Sequence, residues 1–240
     1  MKYAIVAAGE GSRLSQEGIR EPKPLVRVGG EPLIDRLLRI FLRHDADGIV
    51  VICNDRTSQV SEHLGNIQKN GLDGCDIPLQ FVVKSTPSSM HSLYEISEYL
   101  EQEPFVLTTV DTVFLEEEFG HYLEQFQAIV SEGFDGLMGV TDHIDDEKPL
   151  YVGLDKELDI WGFYDDSFSE GRYVSAGIYG LTPATLRVLH DCVRRGESRL
   201  RNFQRALLAY GLMLKAYPFS KVLDIDHASD IKKAEEFLQP

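Results

Sequence analysis

Residues 3–33 read YAIVAAGEGSRLSQEGIREPKPLVRVGGEPL. The apolar run at 2–7 suits a buried strand. Ala8-Gly9-Glu10-Gly11-Ser12 follows with little side-chain bulk, so backbone N–H groups can approach an anion. Arg13 then offers a planar, permanently charged fork that matches phosphate oxygens, and Lys23 offers a compact point charge. Pro22 and Pro24 restrict the backbone on both sides of Lys23, which predicts an extended segment that aims the ammonium. Gly9 and Gly11 lack a third glycine and no Gly-Lys-Ser/Thr follows, so this is neither a dinucleotide fingerprint nor a Walker loop. The guest that fits two cations beside a bare turn is a polyphosphate.

Outward from this stretch, apolar runs alternate with helical spacing over the first half of the chain. Strands are expected at 48–53, 79–84 and 105–109, and helices at 33–42, 58–67, 89–100 and 116–131. That alternation predicts a mostly parallel sheet flanked by helices. Beyond 131 the pattern changes to strands at 136–141, 151–154, 160–164 and 174–181 with short polar connections, which suggests an antiparallel or mixed extension over the sheet. Helices at 183–194, 200–210 and 229–238 and a strand at 214–217 complete the reading. No linker-like composition break divides the 240 residues, so one domain over 1–240 is expected.

The formal charge of −15 argues against a broad nucleic-acid surface, which needs a basic footprint to displace counterions. A small anion is still compatible with an acidic chain if a local cationic cluster holds it. Cys53, Cys75 and Cys192 have neither metal spacing nor an even count, which fits a reduced, cytoplasmic protein. No apolar run approaches the roughly 20 residues that span a bilayer, so no membrane partner is expected.

Ligands of open α/β sheets bind outside the carboxyl ends of the strands, where the Gly-rich loop, residues 85–90 and Asp111 all fall. Asp111 closes the strand Phe-Val-Leu-Thr-Thr-Val-Asp; by position alone it could equally start a turn. Asp224 and Asp226, two residues apart, share a face if extended, an arrangement that is costly without a nearby cation. Asp230 reads as helix-start chemistry. Ser85, Ser88 and Ser89 can hydrogen-bond a ligand or merely cap a helix. The five arginines at 194, 195, 199, 201 and 205 read first as solvated helix faces or a homo-oligomer contact, and only secondarily as ligands of an acceptor phosphate. His91 and His227 read as packing or hydrogen-bonding residues, and zinc is not expected.

Ala-Ala-Gly-x-Gly-Ser-Arg-Leu, then Pro-Lys-Pro-Leu, then Val-x-Gly-x-Pro-Leu-Ile closely resembles the opening signature of the sugar-phosphate nucleotidyltransferase family. The resemblance implies a Rossmann-like three-layer α/β/α sandwich with a mostly parallel mixed sheet, of the nucleotide-diphospho-sugar transferase type. It implies an NTP on Ala7, Ala8, Gly9, Gly11 and Ser12, with Arg13 at the outer phosphates and Lys23 at the α-phosphate. The loop carrying Ser85, Ser88 and Ser89 would read the base. Mg²⁺ would be held by Asp111 and Asp226, with Asp224 second. Val174-Ser175-Ala176-Gly177-Ile178-Tyr179 resembles the family's acceptor strand, implying Gly177 and Tyr179 at the acceptor. The implied reaction transfers NMP to a phosphorylated small molecule, first a sugar 1-phosphate, and releases pyrophosphate.

Ser92-Leu93-Tyr94 resembles the phosphocholine cytidylyltransferase branch, and the usual Gly-Thr-Ala-like segment is absent. A choline head group would want an aromatic cage, for which Tyr151, Trp161, Tyr164, Tyr173 and Tyr179 are the candidates. Molybdenum-cofactor-type guanylyl transfer shares the opening signature, and a nucleotide-binding regulator without turnover is the alternative outside enzymology.

Overall fold

A computed structural model describes residues 1–168 and 171–239. The opening apolar run forms β1 (Lys2–Ala7), buried on both faces: Tyr3, Ile5 and Ala7 enter one core, Ala4 and Val6 another. A strand with no polar face belongs in the middle of a covered sheet, and β1 sits between two parallel neighbours. The elements that follow are α1 (Ser12–Gln16), β2 (Arg27–Val28), β3 (Glu31–Pro32), α2 (Leu33–Arg43), β4 (Gly48–Cys53), α3 (Ser58–Asn70), β5 (Leu79–Val83) and α4 (Ser89–Ile96). Next come β6 (Phe105–Thr109), β7 (Thr112–Val113), α5 (Glu116–Ser131), β8 (Gly136–Thr141), β9 (Tyr151–Leu154), β10 (Ile160–Tyr164) and β11 (Tyr173–Leu181). The chain continues through α6 (Ala184–Arg194), α7 (Leu200–Ala209), β12 (Leu214–Phe219), β13 (Leu223–Asp224) and α8 (Ala228–Leu238).

Among the described residues the main sheet has nine strands. β5, β4, β1 and β6 lie side by side and parallel; β11 then runs antiparallel to both β6 and β8, and β12 is parallel to β8. The β9–β10 hairpin joins at the start of β11. Helices α2, α3 and α5 cover one face and α4, α6 and α7 the other, giving the expected three-layer α/β/α sandwich with a mostly parallel mixed sheet. Each fully buried Ile or Leu in these layers contributes about 1.5–3 kcal/mol relative to exposure. No helix among the described residues is long and apolar enough to cross a membrane.

Three expectations need correction. The strands beyond residue 131 do not lie over the sheet; β8, β11 and β12 extend it within its own plane, because β11 pairs on both edges. The helix expected to run to residue 100 ends at Ile96 and tightens into a 3₁₀ turn over Ser97–Leu100, where the Ser97 hydroxyl bonds the Tyr94 carbonyl at 2.8 Å. Lys23 is not extended: Pro22 is, at ψ 141°, and Lys23 opens a 3₁₀ turn over Lys23–Leu25.

A third, small core lies apart from the two that sandwich the sheet. Leu14, Val28, Leu33, Val113, Leu223 and Ala234 come from six separate elements, Val26 and Ile225 from the loops beside them, and all eight pack together. β13 pairs antiparallel with β7 beside it. This core fastens the C-terminal segment to the loop region after β1.

Candidate active site

The loop after β1 is shaped by Gly11, which takes a left-handed φ of 60°. A Cβ there would stand 3.0 Å from the Lys23 Cβ, so glycine serves both the turn and the approach of the lysine. Asn54, just past β4, donates to the Gly9 carbonyl at 3.2 Å and ties the loop to the next strand end. Arg13 projects from α1, anchored by the burial of its neighbour Leu14 in the third core.

Lys23 and Arg13 converge on carboxylates from distant parts of the chain. The Lys23 ammonium lies 2.5 Å from Asp111 and 2.6 Å from Asp226, and the Arg13 guanidinium donates to the other Asp226 oxygen at 2.7 Å. Asp111 follows β6, and its carbonyl accepts the Ile225 N–H at 3.1 Å, which sets the register that brings Asp226 alongside. Burial opposes the charge on Lys23, but Asp111 and Asp226 outweigh it and hold the ammonium above its ordinary value. Enclosure likewise opposes ionisation of Asp111, yet Lys23 and the Thr109 hydroxyl keep its carboxyl below the usual range.

Asp224 differs from its neighbours. Part of its side chain meets the cleft, but enclosure and then the negative charge of Asp111 push its carboxyl up to about 8, with Lys23 pulling the other way. It accepts a long hydrogen bond from Thr112 at 3.4 Å and none from either cation. Asp226, in contrast, accepts from both cations. Among the described residues no group of three or more His, Cys, Asp or Glu forms a metal cage. Asp111 and Asp226 still suit Mg²⁺, which takes one or two carboxylates together with substrate phosphates rather than a closed protein cage.

Above these charges lies a cleft of about 460 Å³ lined by Ala8, Gly9, Gly11, Ser12, Arg13, Lys23, Ser85, Ser88, Ser89, Asp111 and Asp226, among others. That size accommodates a nucleotide-scale ligand. Ala7 falls just below, its side chain in the core. Sequence reasoning missed Arg56 and Thr109, which also line the cleft. Arg56 follows the carboxyl end of β4 and pairs with Glu10 at 2.6 Å; the strand-end rule applied to β4 would have found it.

A second cleft, about 330 Å³, shares Ser89, Thr109 and Asp111 with the first and adds Asp146, Ser175, Gly177, Tyr179, Arg199, Arg201, Gln204 and Asp224. Gly177 has φ 73°, and a Cβ there would lie 2.7 Å from the Thr112 hydroxyl oxygen, so the close approach it permits is to Thr112. Tyr179 is 7% exposed, and of the five aromatics considered for a choline cage it alone lines this cleft. Trp161 and Tyr164 instead project exposed from β10 and group with Phe168 beyond it. Asp230 accepts from the His227 N–H at 2.8 Å and the Asp226 N–H at 3.2 Å, the helix-start role expected of it.

A sequence model of the MobA-like NTP transferase domain matches residues 3–149, more than half of the chain. The chain belongs to the MobA-like NTP transferase family. A glucose-1-phosphate cytidylyltransferase of Salmonella typhimurium is 33% identical over 66 residues, 28% of this chain and 26% of that protein. A bifunctional IPC transferase and DIPP synthase of Archaeoglobus fulgidus is 25% identical over 249 aligned residues, covering 99% of this chain and 44% of that protein. The chain thus matches a quarter to under half of the length of these curated relatives. The inositol-1-phosphate CTP transferase of T. maritima superposes with a TM-score of 0.76 at 18% identity, over 100% of this chain and 98% of that one. The CTP:phosphocholine cytidylyltransferase of Streptococcus pneumoniae does so at 0.75 and 17%, over 99% of each. At such identity these superpositions establish the family's fold.

Proposed function

We propose that this NTP transferase family member moves NMP from an NTP to a phosphorylated small-molecule acceptor, most readily a sugar 1-phosphate, with release of pyrophosphate. The observation that carries this reading is the Lys23 ammonium held between Asp111 and Asp226 below the Gly-rich loop, where the two clefts adjoin. An acceptor phosphate oxygen would attack the α-phosphorus in line, and the bond to the leaving pyrophosphate would break. Lys23 would stabilise charge at the α-phosphoryl and Arg13 would hold the departing phosphates; both act by position and fixed charge. Asp226 now occupies both cations, so the donor's phosphates would take over partners that the carboxylate already orients. Mg²⁺ held by Asp111 and Asp226 would neutralise triphosphate charge when bound.

The second cleft favours a polyhydroxylated acceptor over choline. Asp146, Asp224, Ser175 and Gln204 are hydroxyl partners, whereas one mostly covered tyrosine makes no aromatic box. A pyrophosphate-release screen crossing four NTPs with sugar 1-phosphates, inositol 1-phosphate and phosphocholine in Mg²⁺ tests the reading. Release with a sugar or inositol phosphate, abolished by Lys23→Ala and by Asp226→Ala, is expected. Silence with every pair, or near-normal turnover in either variant, would overturn it.

A further inference from the structure

The cations around the two clefts are almost all engaged. Lys23 and Arg13 are held by Asp226, Arg56 by Glu10, and Arg201 by Asp165 at 2.6 Å and the Lys148 carbonyl at 2.9 Å. Arg205 also turns to Asp165, at 2.8 Å. Arg199 is the exception: the residue lines the second cleft, is exposed, and its guanidinium forms no ion pair or hydrogen bond among the described residues.

Its backbone is as unusual as its side chain. Arg199 stands immediately before α7 at φ 71° and ψ 140°, a conformation that glycine takes freely and a bulky L residue does not. Two contacts hold it there. The Arg199 N–H donates to the Ser88 hydroxyl at 3.0 Å, and the next residue, Leu200, is buried in the core between α4, α6 and α7. Glycine would satisfy both the turn and the N–H bond without strain. An arginine in such a strained position points to a use for the guanidinium.

The remaining ionisable groups of the cleft define that use. Asp111, Asp146 and Asp224 are carboxyl groups, which give a phosphate no cationic partner, and Arg201 is already paired. An acceptor phosphate therefore has one uncommitted planar donor to meet, and guanidinium forks bind phosphate oxygens in pairs. Ser89, at the start of α4, and Asp111 line both clefts, so an anion held here adjoins the donor's phosphates. We infer that Arg199 is the anchor for the acceptor's phosphate, a specificity-determining residue that restricts this cleft to phosphate monoesters whose remaining hydroxyls meet the acidic groups. The inference deepens the proposed transferase reading and rests on it for the acceptor's identity. Its test is separate.

Binding is measured by calorimetry on the full chain with glucose 1-phosphate and inositol 1-phosphate, each with and without a saturating non-hydrolysable NTP. Arg199→Gln is expected to weaken phosphate-monoester binding at least about tenfold, the worth of a lost charge-assisted pair, while NTP binding stays within about threefold. Arg199→Gly is expected to lose the same affinity yet melt at a higher temperature, because it relieves the backbone; a purely structural role would lower both stability and NTP binding. Arg199→Lys should restore part of the affinity. Wild-type affinity in Arg199→Gln overturns the inference, as does failure of the wild type to bind either phosphate monoester. Tight, Arg199-dependent binding without pyrophosphate release for any NTP sustains the anchor and sinks the transferase reading instead.

Discussion

Gly177 is the residue at which the second cleft is least tolerant. Its φ of 73° is left-handed, and a Cβ would press on Thr112 at 2.7 Å and Thr109 at 3.2 Å, whose hydroxyls are themselves hydrogen-bonded at 2.7 Å. Gly177→Ala is expected to cost on the order of 2–4 kcal/mol, combining left-handed strain with overpacking, and urea unfolding measures it. A second residue-scale expectation concerns pH. The Glu17 carboxylate bonds His227 at 2.6 Å and raises the imidazole above its ordinary 6.5, while that same hydrogen bond lowers Glu17 below 4.5. A raised histidine adds stability that is full below 6.5 and disappears as pH climbs through the folded value. A lowered carboxyl adds stability that is full above 4.5 and disappears as pH falls through its folded value. The pair therefore holds best between those two ordinary values. An NMR titration should find His227 titrating above 6.5 in the wild type and nearer to it in Glu17→Gln.

At the scale of elements, the site depends on pieces too short to announce themselves. α1, the β2–β3 pair and the β7–β13 pair were not legible in the sequence, because two-residue strands have no measurable period and exist only through partners far along the chain. The cations and acids were legible, since chemistry demands their types; that Asp111 and Asp226 share one ammonium was not, because the pairing of residues 112 and 224 fixes it. Arg199 could be named only as one of five arginines with a secondary acceptor-phosphate reading, for a related reason: a run of arginines reads as a solvated face until a backbone angle singles one out. Ile225, fully buried and bonded through its N–H to the Asp111 carbonyl, makes the dependence testable. Ile225→Ala should lose about 2–5 kcal/mol and raise the KM for NTP severalfold. Val188→Ala, equally buried in α6 but remote from the charges, should lose stability with KM unchanged.

For the whole molecule, strand and helix positions in the first half followed from alternation of buried runs, and their parallel order from the connecting helices. The placing of β11 between β6 and β8 did not follow, since a strand flanked on both edges and one lying over a sheet carry the same apolar pattern. Whether 1–240 unfolds as one unit can be read from thiols on opposite faces. Cys53 belongs to one core and Cys192 to the other; burial pushes each thiol up to about 11, while Cys75 is exposed. Cys75 should take an alkylating reagent at once. Cys53 and Cys192 should label together, with one shared free energy of opening; unequal protection would mark two units. The bridge from Lys23 to Asp111 and Asp226 also has a meaning in time. Every strand of the main sheet has been made once residue 219 is joined, yet the second carboxylate belongs to a segment synthesised afterwards. On a ribosome the strands of the scaffold are therefore all made before its charges can meet, and the bridge forms only when the segment after β12 docks.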